Sequence, residues 1–309
     1  MKNIFKLAFI LVVATFNANA QQDPMVTQYM FNGLYLNPAY AGSHDYWSST
    51  LSYRTQWVGA DFEGAPQTAI LAVDGPISGK NMGLGVIVYH DQIGVTKTNT
   101  VMANYAYQIK LNKKSKLAFG INAGVSQFNA RLTDVLVWDE QDDVYANNLI
   151  KTVPRIGLGA YYYSDRHYVG LSVPTVIAYE DGSKFSMDLS KASFLRRHYL
   201  LTGGVVFNVS ENVKLKPSVL LKYVHNAPLE GDVNFSAVFN DAFWVGATYR
   251  TNDAVSLLFE YQSNKFFRIG YAYDITISGL RGYQNGSHEI MIGVDFGKDL
   301  VKVKTPRYF

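Results

Sequence analysis

The chain is 309 residues long, with 28 Lys and Arg against 25 Asp and Glu and no cysteine. A balance this close to neutral argues against a nucleic-acid partner, whose binders are clearly basic. The lack of cysteine excludes a disulfide framework and a cysteine-borne lipid anchor, and 22 Tyr, 18 Phe and 25 Gly favour strands, interfaces and turns over helices.

Residues 1–20 read as a cleavable export signal. Lys2 and Lys6 form a basic start, Leu7 to Phe16 an apolar stretch, and Ala18-Asn19-Ala20 a small-residue cleavage site before Gln21. The apolar stretch is shorter than the roughly 20 residues a spanning helix needs. No later window is apolar enough for such a helix, so a helical membrane protein is excluded. Removal of Lys2 and Lys6 leaves 26 basic against 25 acidic residues.

Residues 21–44 form a leader that does not alternate. After Gln22-Asp23-Pro24 comes Gln28-Tyr29-Met30-Phe31-Asn32-Gly33-Leu34-Tyr35-Leu36-Asn37-Pro38-Ala39-Tyr40-Ala41-Gly42-Ser43, which mixes Asn, Gly and Pro with large aromatics. As a disordered leader or short strand-turn it would leave several large apolar side chains in water. The alternative is a plug-like segment packed into a barrel mouth or lumen, bent at Asn37-Pro38.

From residue 45 to 309 the pattern is an all-β, transmembrane outer-membrane β-barrel of about 14 antiparallel strands with a short C-terminal tail. Val101, Ala103, Tyr105, Tyr107 and Ile109 share one face while Asn104, Gln108 and Lys110 take the other. The same two-faced run recurs in Leu117–Val125, Val213–Tyr223, Val255–Tyr261, Phe267–Tyr273 and Ile290–Phe296. Strands are predicted near 45–57, 66–74, 82–90, 98–111, 116–128, 153–164, 167–174, 197–208, 213–225, 231–240, 242–251, 254–262, 265–275 and 287–297. A soluble sandwich would also alternate, but here the polar partners are tiny or fully charged (Arg250, Glu260, Arg268, Asp274, Asp295), which suits a wet lumen. Trp47 and Trp57, placed on one outward face of one strand, would stand roughly 24 Å apart along the axis, the height of an outer-membrane apolar band. Connections also alternate between tight turns and longer loops, with 129–152 and 175–196 on the same side; only the turn at Asn252-Asp253 breaks that parity.

Chemistry-bearing motifs are sparse. The histidines (His44, His90, His167, His198, His225 and His288) are scattered without metal-ligand spacing, and His90-Asp91 or Asp165-Arg166-His167 would point to opposite strand faces. No catalytic residue, metal site or cofactor is expected. The acidic loop around Trp138 and Tyr145 (Asp134, Asp139, Glu140, Asp142, Asp143) lacks the spacing of a calcium loop and reads as a solvated face or docking surface. Arg250, Glu260, Arg268 and Asp274 are expected to face inward as an ion-pair network, because each would cost about 2–4 kcal/mol on the lipid face near mid-membrane.

The run from Gln28-Tyr29-Met30-Phe31-Asn32 through Leu36-Asn37-Pro38-Ala39-Tyr40-Ala41-Gly42-Ser43 resembles the N-terminal signature of the PorP/SprF family. Ser287-His288-Glu289-Ile290 and Thr305-Pro306-Arg307-Tyr308-Phe309 resemble that family's C-terminal end. The resemblance implies an outer-membrane component of the type IX secretion system of Bacteroidota. Its partners would be the C-terminal targeting domain of a secreted adhesin, including gliding-motility adhesins, and other secretion components such as the periplasmic ring. It implies no catalytic residues. The Asn-Pro-Ala triplet is also similar to the N-terminal hatch of fatty-acid-transporter-like barrels, usually 14-stranded. The reading is therefore a non-enzymatic barrel that receives a secreted surface protein. The alternatives are a channel for small apolar molecules and, further off, a hydrolase at the rim.

Overall fold

The alternation is realised strand by strand. In the computed structural model, which describes residues 24–59, 63–134, 147–178, 197–224, 227–263 and 266–297, the strands are β1 (Trp47–Thr55), β2 (Gln67–Pro76), β3 (Met82–Ile93), β4 (Thr96–Lys110), β5 (Ser115–Ala130), β6 (Leu149–Ser164), β7 (His167–Ala178), β8 (His198–Val205), β9 (Phe207–Asn208), β10 (Val213–Val224), β11 (Glu230–Phe239), β12 (Phe243–Arg250), β13 (Ala254–Gln262), β14 (Phe267–Thr276) and β15 (Ser287–Phe296). Each pairs antiparallel with its neighbours, and β15 pairs with β1 to close the ring. Val206 interrupts one stave into β8 and β9, both of which pair with β10. The result is a closed antiparallel β-barrel of 14 staves.

This barrel is apolar outside and polar inside. Leu51, Tyr53, Leu257, Phe259, Ile269, Tyr271, Ile290 and Ile292 face outward and are exposed, while Arg54, Ser256, Glu260, Arg268, Asp274 and Glu289 are buried. A surface with so much contiguous apolar area is one that faces lipid. Among the described residues no helix is long and apolar enough to cross a membrane; the apolar outer surface is carried by strands that pair into a closed ring.

Three details depart from the sequence reading. β1 ends at Thr55, and Trp57 lies beyond it with φ +52°, in the left-handed region. The two tryptophans are therefore not on one continuous strand and cannot serve as a ruler. Trp47 does face outward, stacked on Phe296 at 6.4 Å between centroids. Second, β3 and β4 run on to meet at a two-residue turn, Gly94-Val95, so Asn252-Asp253 is not the sole short connection at that end. Their polar tips conceal strand because those residues face the lumen or rim; Asp91, for example, is buried and accepts from Thr68 Oγ1 at 2.6 Å. Third, β6 begins at Leu149 and runs through Pro154. Pro154 pairs with Val125 of β5, and the described β7 ladder reaches only as far as Arg155, so the proline sits at an edge of the ladder, where strand prolines are tolerated.

The connections at the Thr55 end include 56–66, 131–148, 179–197 and 277–286. Those at the Trp47 end (77–81, 111–114, 165–166, 209–212, 240–242 and 263–266) are short. Asn240 and Asp241 both have positive φ, as tight hairpins require. The expected signal (1–20), the core of the acidic loop (Asp139–Tyr145), His225 and the Thr305–Phe309 terminus lie outside the described residues.

Candidate functional site in the barrel interior

Residues 24–46 lie inside the barrel as short helical turns, at Tyr29–Phe31, Gly33–Leu36 and Pro38–Tyr40. Their side chains and backbone meet the inner wall on nearly every side, and Thr27, Tyr29, Leu34, Ala39, Tyr40 and Ala41 are almost wholly buried.

The Asn37-Pro38-Ala39 triplet has a local and a long-range role. The Asn37 carboxamide oxygen accepts from Ala39 N–H at 2.9 Å, capping the turn that Pro38 opens. Its amide nitrogen donates to the carbonyls of Ala160 on β6 at 2.9 Å and Leu171 on β7 at 3.4 Å. Ser172 of β7 donates to Leu36 O at 2.6 Å. This approach depends on absent side chains in the wall: a Cβ on Gly120 would fall on the Ala39 backbone, and one on Gly159 on the Asn37 oxygen. Tyr40 packs edge-on against Tyr161 and shares a 2.8 Å hydrogen bond with His44 Nε2. Gly42, at φ +66°, donates to Asp74 at 2.9 Å and accepts from Gln108 at 2.5 Å.

The other side of the segment rests on charge. Glu289 of β15 accepts from the backbone N–H groups of Thr27 at 2.7 Å and Gln28 at 3.1 Å, and from the Gln28 side chain. Thr27 Oγ1 donates to Asp274 of β14 and accepts from Arg54 of β1 at 2.6 Å. Arg54 bridges Asp274 at 2.6 Å and Glu289 at 3.4 Å, and Arg250 joins Asp232 at 3.1 Å, Asp253 at 3.5 Å and Asp274 at 3.8 Å. Between these anchors Tyr29 shares a 3.0 Å hydrogen bond with Ser218. Phe31 meets Trp244 edge-on at 5.3 Å, and Asn32 donates to Ser52 at 3.1 Å.

The expected lumen network is thus only partly one network. Arg250 and Asp274 are joined. Arg268 belongs to a second group near the opposite rim, with Asp295 at 3.5 Å and the hydroxyls of Ser48 and Thr50. Glu260 is buried, paired in register with Trp244 and Gly270, and takes no part in the ion pairs just described. Sequence reasoning missed Arg54, Asp232 and Glu289 as members. Parity carried the signal for Arg54, which continues the Ser48, Thr50, Ser52 face, and Glu289 sits inside the C-terminal motif.

Among the described residues the histidines do not converge. Ser164 Oγ lies 3.0 Å from His167 Nδ1, but both sit on an exposed turn where Ser164 also accepts from the N–H groups of Arg166 and His167, the geometry of a turn cap. Among the described residues no three His, Asp or Glu are grouped to hold a metal.

Comparison with known proteins gives two results. Residues 18–294 match the family described as type IX secretion system membrane protein PorP/SprF. Among solved structures the chain is similar to the CymD monoaromatic hydrocarbon channel, with 12% identity and a TM-score of 0.51 over 85% of this chain and 91% of that one. It also aligns with a Pseudomonas aeruginosa FadL homologue, at 12% identity and a TM-score of 0.44 over 91% and 95%. At such identity the likeness to CymD concerns the barrel fold alone. No curated protein sequence matches the chain.

Proposed function

The chain belongs to the PorP/SprF family of type IX secretion system membrane proteins, and from that premise we propose that it is a non-enzymatic outer-membrane barrel that supports secretion or surface attachment of a partner adhesin. In this reading residues 1–20 are removed on export and the short-turn end faces the periplasm, where other secretion components sit. The long loops at the opposite rim receive the adhesin's C-terminal domain.

The observation that carries the reading is the seating of residues 24–46. The segment that bears the family signature is held by Glu289 and Asp274 at one side and by the β6 and β7 backbone at the other. In our reading it acts as a plug, making the barrel a closed platform rather than an open conduit, and so weighs against the channel alternative. The test is affinity capture of the tagged protein from native membranes in mild detergent. Recovery of an adhesin C-terminal domain is expected, with recovery reduced by Asn37→Ala and Tyr40→Ala while heat-modifiable migration on gels stays intact. Capture of no secreted protein, together with strong planar-bilayer conductance by the unaltered barrel, would overturn the proposal.

A further inference from the structure

Above the inner segment, toward the Thr55 end, the lumen keeps a recess of about 570 Å³, counting the part open to solvent. The walls are apolar, formed by Val26 and Leu36 of the inner segment with Met102, Leu200 and Leu220 of the barrel. Against them stand Arg155, His198 and Lys222, each buried. Among the described residues that line it there is no carboxylate.

The basic groups are positioned rather than loose. Arg155 donates through Nε to Thr175 Oγ1 at 2.9 Å and through its terminal nitrogens to Tyr89 Oη and Ser126 Oγ. Its guanidinium also lies 6.0 Å from the centre of the Tyr89 ring. Lys222 pairs with Glu230 of β11 at 3.5 Å. A recess that combines apolar walls with buried basic groups fixed by second contacts matches a ligand with an apolar chain and a single anionic head.

We propose that this recess binds a single-chain anionic amphiphile, with its carboxylate at Arg155 and Lys222 and its alkyl chain against Met102, Leu200 and Leu220. The site is independent of adhesin binding and requires no passage through the barrel. It would tie the seating of the inner segment to a bound lipid-like molecule, because Val26 and Leu36 belong to that segment.

The test uses the full barrel in phosphatidylcholine nanodiscs, with a dansylated undecanoate as probe and empty nanodiscs as background. Saturable fluorescence is expected, displaced by dodecanoate at about tenfold lower concentration than by dodecanol, the margin of one charge-assisted contact. Leu220→Trp and, separately, Met102→Trp fill the recess and should abolish the saturable signal in protein that still shows heat-modifiable migration. Lys222→Met should narrow the preference for carboxylate over alcohol by several-fold. Absence of saturable binding, equal displacement by acid and alcohol, or binding that survives both tryptophan variants would each overturn the proposal.

Discussion

The two sides of the wall that hold the inner segment do so by different physics. Along β1, β14 and β15 the contact is made by long charged side chains, Arg54, Asp274 and Glu289, reaching to Thr27 and Gln28. Along β5, β6 and β7 the contact is close and uncharged: the segment meets backbone at Gly120, Gly159 and the carbonyls of Ala160 and Leu171, with the Tyr161 ring and the Ser172 hydroxyl beside them. A charged anchor tolerates small shifts but not loss of a partner; a close-packed anchor tolerates neutral chemistry but not added volume.

Substitutions can break that contrast. The largest effect is expected on the glycine side. Gly120→Leu and Gly159→Leu occupy space already filled by Ala39 and Asn37, so residues 24–46 should be expelled and become cleavable by added protease. Gly203→Ala, where an added Cβ would meet nothing closer than 3.6 Å, should leave them protected. If Gly120→Leu also stays protected, close approach is not what seats the segment.

Next comes the charged side. Arg54→Met removes the ion-pair partner of buried Glu289 and leaves Asp274 with Arg250 at 3.8 Å, and should cost about 3–5 kcal/mol in urea unfolding of the detergent-solubilised barrel. The double variant Arg54→Met with Glu289→Gln should recover part of that loss. No recovery would mean that Arg54 acts by packing rather than charge. Asn37→Ala removes a cap and a bond to the β6 carbonyl, and about 1–3 kcal/mol is expected by the same measurement. Tyr29→Phe loses one neutral bond to Ser218 and should cost about 0.5–1.5 kcal/mol.

The wall was far more legible in the sequence than what it encloses. Period-two alternation marks lumen and lipid faces for every strand, because large apolar residues outside and small or charged ones inside are required by the two solvents. It fails at tips such as Asp91–Ile93, where a lumen-facing acid looks like a loop. It fails at Trp57 too, because positive φ leaves no periodic trace. Inside, parity says that Arg54, Glu260 and Glu289 point inward but not which of them meet. That depends on ladder register between strands far apart in sequence, so parity alone does not single out Arg54 as the partner of Asp274 and Glu289. The glycine cradle under Asn37 was equally hidden, since Gly120 and Gly159 read as ordinary small lumen residues.

The bond between Thr27 and Glu289 spans 262 positions. Because Asp274 and Glu289 sit on the last two strands of the ring, the charged anchor for the opening residues of the barrel cannot form until the final strand has been placed. Ring closure and anchoring therefore depend on the same last strand. A chain truncated before β15 would lack both the seam with β1 and the acid that grips Thr27, leaving its leading segment as a visible marker of an unfinished barrel.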